Sequence, residues 1–337
     1  MQSYHIEKFG ALDGLVMKTH DLPQPGPDEV VVRMRANSLN YRDLNVLKGS
    51  YRSNPKPGLI PLSDGVGEIS AVGARVRRVK VGDRVAAIFH QRWLGGRMNR
   101  DATGSDLGGS IDGVLTEQAV LNQEGVVVLP AHLSYEEAST LPCAGVTAWA
   151  ALTDYTRVTA GDTVLTLGSG GVSVFALQFA KLMGARVIAT TSSSDKAARL
   201  RALGADEVID YKATPEWDQE VLRLTNGRGA DFVVEVGGPG TLARSLKSTA
   251  IGGSVVLIGT VSGIGQLLDP TLFRGRAISM RSLSVGSRQT FDAMNRAIDM
   301  HKLRPVVDRV FPFAEARAAY SHLQAQKHFG KVVIGYA

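Results

Sequence analysis

The chain of 337 residues sets 38 Lys and Arg against 32 Asp and Glu, a net charge of +6, is 44% hydrophobic and holds a single cysteine. That length admits two domains of roughly 100–200 residues, and one cysteine excludes an internal disulfide and any zinc site built from several thiolates. No stretch approaches the roughly 18 apolar residues of a membrane helix, the opening residues lack the layout of a signal peptide, and the basic residues are dispersed; a cytoplasmic globular protein that binds neither membrane nor nucleic acid is expected.

Before Pro130 the chain is β-rich, with valine-rich runs at 29–33, 66–76, 82–86 and 126–129 separated by Gly, Pro and Asp. From 163 onward apolar strands at 163–167, 186–190, 207–209, 231–236, 254–258 and 278–283 alternate with helical patterns at 172–183, 195–203, 217–224 and 242–250. Six strands with helical crossovers predict an α/β, doubly wound parallel sheet of Rossmann type. The tail carries helices near 291–301 and 314–324 and a strand at 331–334, and is expected to return to the first domain. The division so predicted is a substrate domain at 1–129 with 285–337 and a nucleotide domain at 130–284.

The first of those strands runs into Gly168-Ser169-Gly170-Gly171-Val172-Ser173 and then an apolar helix, the setting that the dinucleotide fingerprint requires. Gly168 makes the tight turn, Gly170 lets backbone approach pyrophosphate, and the helix N-terminus faces the negative charge. Ser173 replaces the third glycine. An NAD-specific site places an acid at the end of the second strand, but Thr191-Ser192-Ser193-Ser194-Asp195-Lys196 stands there. Uncharged Ser192 and Ser193 with the cation Lys196 suit a 2′-phosphate, so NADPH is favoured; the alternative is that Ser193 or Ser194 caps the next helix and Lys196 is solvated.

Seven segments then form an ordered series: Asn37-Ser-Leu-Asn40-Tyr-Arg-Asp43, Pro61-Leu-Ser-Asp64-Gly-Val-Gly67, Val79-Lys-Val-Gly82-Asp83-Arg84-Val85, Leu141-Pro-Cys143-Ala-Gly-Val-Thr147, the 168–173 turn, Leu203-Gly204-Ala205-Asp206 and His328-Phe-Gly-Lys331. Their order and spacing resemble the medium-chain dehydrogenase/reductase superfamily, in its zinc-free branch of quinone oxidoreductase-like and enoyl reductase-like members, over essentially the whole chain. The resemblance implies a GroES-like fold for the β-rich catalytic domain. It matches Lys196 and Tyr211 to the residues that clasp the 2′-phosphate and Thr147 to a cofactor contact; Cys143, a free cysteine with no histidine beside it in sequence, is assigned to packing near the nicotinamide rather than to a nucleophile. Zinc-dependent members hold the catalytic metal with two cysteines and a histidine; the matching positions are Asn40, Ser63 and Cys143, of which only the last is a firm zinc ligand. The segment matching their structural-zinc loop, 90–112, has no cysteine. No metal is therefore expected, with a rearranged site of Asp43, Asp64 and Cys143 as the alternative.

Without a Lewis acid a plain ketone is a poor hydride acceptor, whereas an enone or quinone spreads the charge and hydrogen-bond donors can replace the ion. Asn40 is the expected donor to the substrate oxygen. Proton sources are Tyr41, Tyr51, a carboxyl network of Asp43 and Asp64, or water; the tyrosine that some family members carry at the position of Asn45 is absent. Gly259, Val261, Val285 and Ser287 follow core strands at the ends where open α/β sheets bind ligands, and Lys331 is a candidate partner for pyrophosphate. Residues 90–100, with three arginines and Trp93, form either a lid or a solvated loop. The function expected is reduction of a small electrophile, a quinone or α,β-unsaturated carbonyl, by NADPH. Its rivals are an NADP-dependent alcohol dehydrogenase or ketone reductase, and a non-catalytic NADPH-binding protein that touches RNA. The resemblance also implies a homodimer.

Overall fold

The computed structural model describes residues 1–51, 55–155, 157–259 and 269–336. Contacts divide the chain into two units, Met1–Val146 with Gly286–Ala337, and Thr147–Val285. The sequence reading put the first boundary at 130. Residues up to Val146 stay with the first unit because the helix Tyr135–Ser139 and the π-helical turn Leu141–Gly145 pack on its strands Glu29–Ser38 and Asp64–Val72.

The first unit is organised around the ten-residue strand Glu29–Ser38. Asp64–Val72 pairs antiparallel along one edge, while Gln118–Asn122 and Lys331–Gly335 share the other. Arg84–Ala87 and Val126–Val128 extend the sheet beyond Asp64–Val72, and Val307–Pro312 lies parallel beyond Lys331–Gly335. Val30, Val32 and Met34, two apart along their strand, enter one core with Ile69, Val85, Leu121, Leu44 and Leu47, as the alternation of a strand requires. Tyr320 and Leu323 of the helix Ala316–Gln324 complete that core.

The second unit is a six-stranded sheet, parallel throughout, in the order Glu207–Asp210, Arg186–Thr191, Thr163–Leu167, Ala230–Glu235, Thr249–Leu257, Ser279–Ser282. All six expected strands are present. Thr163–Leu167 is buried at every position because helices cover both faces of such a sheet, which leaves no polar side to alternate with. Strand order reverses between Thr163–Leu167 and Ala230–Glu235, the switch point at whose carboxyl end open sheets bind ligands. Among the described residues no helix is long and apolar enough to cross a membrane.

Candidate active site

In the second unit the strand Thr163–Leu167 ends on Gly168, held at a φ of +73° that L side chains rarely adopt. Its N–H donates to Thr190 Oγ1 at 3.2 Å. Gly170 begins the helix Gly171–Leu182, and no side chain caps the leading N–H groups of that helix. A Cβ on Gly168 or Gly170 would meet nothing within 4 Å, so the turn presents bare backbone to open space. Uncapped amide donors at the positive end of a helix suit a pyrophosphate. Ser173 accounts for the missing third glycine: it is buried, and its Oγ donates to Leu167 O at 2.6 Å, so a small polar side chain fits between helix and strand. Ser169 is buried in the same turn, with Gly171 and Val172 partly exposed behind it.

Strand register assembles the corner expected to read the ribose. Asp210 pairs with Thr191, so Ser192 and Tyr211 leave adjacent strand ends, and the Tyr211 N–H donates to Thr191 O at 2.9 Å. Tyr211 is exposed, and Ser192 and Lys196 are partly so. Ser193 Oγ accepts from the Lys196 N–H at 3.5 Å and caps the helix Ser194–Ala202, so the capping alternative holds for this residue. Thr147 is buried in the helix Val146–Thr153. Gly259 follows the strand Thr249–Leu257 and donates to Glu235 O at 3.3 Å. Val285 is buried at a φ of +59°, an unusual conformation for a β-branched residue. Val261 lies outside the described residues. Glu235, absent from the residues singled out in the sequence, is a fully buried carboxylate at the end of its strand; it accepts from Gly237 N and Gly238 N just before the helix Pro239–Ser248 and from Thr241 Oγ1 and Ser245 Oγ within it.

The first unit gathers a buried polar cluster. Asn40 precedes the helix Tyr41–Leu47, where Asp43 Oδ2 accepts its N–H at 2.7 Å. Asp43 is wholly buried, and its carboxyl is pushed up to about 6 by burial, against the pull of the Arg42 guanidinium and the Asn40 N–H. Asp64, equally buried, accepts from Ser63 Oγ at 2.8 Å, Ser38 Oγ at 3.2 Å and the Cys143 N–H at 3.3 Å. That last bond docks the π-helical turn, a feature frequent at functional sites, onto the strand Asp64–Val72. Lys331, 3% exposed, donates to Leu39 O at 2.6 Å and Asn40 Oδ1 at 2.5 Å and lies 3.7 Å from Asp64 Oδ2. The amide nitrogen of Asn40 is buried with no partner. Tyr41 and Tyr51 pack on the core, Tyr51 with the Arg42 guanidinium 4.5 Å above its ring.

Two residues expected to touch the cofactor have partners within the protein. Lys331, expected on pyrophosphate, is turned inward, its ammonium directed at acceptors of its own unit. Ser287, read as a cofactor contact, caps the helix Arg288–His301 through its Oγ, which accepts from the Thr290 N–H at 3.2 Å. The 90–100 segment is also anchored in part: Trp93 is buried, and the carbonyls of Trp93 and Leu94 accept from Arg288 N and Gln289 N. A signal for Lys331 was present in the sequence, because a cation inside the apolar run of a buried strand requires partners.

A catalytic zinc does not fit these residues. Asn40 Oδ1 already faces an ammonium, and the buried Ser63 hydroxyl is turned to Asp64. Burial, then the Asp64 carboxylate, pushes the Cys143 thiol up. Among the described residues no three His, Cys, Asp or Glu side chains are grouped to hold a metal.

Two family profiles match the chain, alcohol dehydrogenase GroES-like domain over residues 26–131 and zinc-binding dehydrogenase over 171–300. A zinc-type alcohol dehydrogenase-like protein of Schizosaccharomyces pombe is 41% identical over 97% of both chains, and a quinone oxidoreductase of Pseudomonas aeruginosa is 33% identical over 97% of both. The chain belongs to the medium-chain dehydrogenase/reductase superfamily, in its quinone oxidoreductase-like branch. It is an oxidoreductase of that superfamily, whose members depend on a pyridine nucleotide. The crystal structure of an NAD-dependent alcohol dehydrogenase, 36% identical, superimposes with a TM-score of 0.91 over the whole of both chains. The superfamily's GroES-like and Rossmann domains are the two units described above.

Proposed function

We propose that this oxidoreductase reduces quinones or α,β-unsaturated carbonyl compounds with NADPH and without zinc. The observation that carries the reading is the Asn40 amide nitrogen, a buried donor with no partner, at the position that the resemblance matches to a thiolate of zinc-dependent members. A buried N–H that finds no acceptor in the protein is stabilised by a substrate oxygen, most of all one that gains negative charge.

When bound, the reduced nicotinamide supplies hydride. Gly168, Gly170 and the free N–H groups of the helix Gly171–Leu182 would hold the pyrophosphate, and Ser192, Lys196 and Tyr211 the 2′-phosphate. Thr147, Gly259 and Val285 are the further cofactor contacts. Asn40 Nδ2 donates to the acceptor oxygen, where conjugation spreads the charge that zinc would otherwise neutralise. Asp43, at about 6, exchanges its proton close to neutral pH, and with the phenols of Tyr41 and Tyr51 it is a source of the balancing proton. The second reading, alcohol oxidation with NAD, is favoured by the names of the S. pombe relative and the superimposed structure.

One assay set separates the two. Steady-state rates with NADPH and NADH against 1,4-benzoquinone, 2-cyclohexenone, acetone and 2-propanol, beside metal analysis of the purified protein, should show NADPH-dependent reduction of the first two without zinc. Faster 2-propanol oxidation with NAD, or stoichiometric zinc whose removal abolishes activity, overturns the proposal.

A further inference from the structure

Lys331 meets Asn40 from 291 positions along the chain. An ammonium donates hydrogen bonds and cannot accept them, so the amide atom 2.5 Å away is the carbonyl oxygen, and the amide nitrogen must turn the other way. The main chain of Asn40 is held separately, its N–H on Asp43 Oδ2 at 2.7 Å and its carbonyl accepting from the Asp43 N–H at 2.9 Å. With the backbone held and one end of the amide gripped, rotation that would exchange oxygen and nitrogen is blocked.

We infer that Lys331 is a positioning residue that holds the Asn40 amide with its N–H groups presented to the substrate. This rests on the reading of Asn40 as the donor to the acceptor oxygen. Two effects follow from the one contact. The cation draws electron density through Oδ1 and makes the Nδ2–H a stronger donor. It also excludes the flipped amide, which would present a carbonyl oxygen to an oxygen gaining negative charge. Lys331 is itself oriented by Leu39 O and by Asp64, which Ser38, Ser63 and the Cys143 N–H hold in turn.

The test is a double-mutant cycle read by kinetics and by a spectrum. Asn40→Asp keeps an oxygen for Lys331 and replaces the N–H donors with a carboxylate oxygen; Lys331→Met removes the ammonium at similar length. With NADPH and 1,4-benzoquinone, Asn40→Asp should lower kcat about 100-fold and Lys331→Met about tenfold, with the KM for NADPH unchanged. The double variant should be no slower than Asn40→Asp; losses that multiply overturn the inference. In protein labelled with nitrogen-15 at asparagine, the Asn40 side-chain resonance, identified by its disappearance in Asn40→Asp, should shift in Lys331→Met, and a resonance that stays in place equally overturns it. If that resonance shifts while Asn40→Asp remains fully active, Lys331 orients the amide but the catalytic reading of Asn40 falls. Should Lys331→Met fail to fold because it strands the Asp64 charge, Lys331→Met with Asp64→Asn removes both charges and serves for the spectrum.

Discussion

Asp43 shows what burial does to a single carboxyl group. Its side chain is shut away from water, and burial outweighs Arg42 and the Asn40 N–H, so the acid titrates near 6 in place of its ordinary 3.8. A pKa raised by folding means that the native state favours the protonated form. The stabilisation is complete below the unfolded value and is lost as pH rises through about 6. Asp43→Asn keeps an oxygen for the Asn40 N–H and removes the charge. Urea unfolding at pH 4, 5.5 and 7 should therefore show the variant gaining on the wild type, by on the order of 2 kcal/mol across that range. A difference independent of pH would mean that Asp43 titrates as an exposed acid does. The residue type and its place in Asn40-Tyr-Arg-Asp43 were legible in the sequence; the depth of burial was not, since it comes from segments far along the chain.

At the scale of elements, the turn from Thr163–Leu167 into Gly171–Leu182 separates two reasons for a glycine. Gly168 has a positive φ, so alanine there is strained by roughly 1–2 kcal/mol whatever the space around it. Gly170 has an ordinary φ of −77° and open space before it, so alanine fits the backbone but fills the face offered to a pyrophosphate. Gly168→Ala should lower thermal stability, whereas Gly170→Ala should leave it unchanged and weaken NADPH binding about tenfold or more, as read by fluorescence titration. Equal cofactor affinity in Gly170→Ala would place the dinucleotide elsewhere. The parallel strands were legible because burial on both faces writes them as unbroken apolar runs. The strand Val307–Pro312 was not: Asp308 and Arg309 interrupt its pattern, and pairing with Lys331–Gly335 is what makes it a strand. The π-helical turn Leu141–Gly145 was missed for a related reason, since Asp64 holds the Cys143 N–H from outside the segment.

At the scale of the whole molecule, the sheet edge bears on assembly. Ser279–Ser282 is the edge of the six-stranded sheet, exposed at all four residues, and an unpaired edge is a template for a second chain. Light scattering after gel filtration should give a homodimer through this edge, and Met280→Asp should shift it toward monomer at micromolar concentration; a wild-type monomer removes the expectation. Sequence by itself determined the alternation of strands and helices, the glycine turn and the lack of a thiolate or imidazole at positions 40 and 63, because each is written in residues that lie near one another or in side chains that lack the needed chemistry. Only the tertiary structure decided which way the Asn40 amide faces, that Lys331 turns inward, and where the first unit ends. Those depend on groups that meet only when the chain closes on itself, and no local pattern records the partner that a buried charge will find.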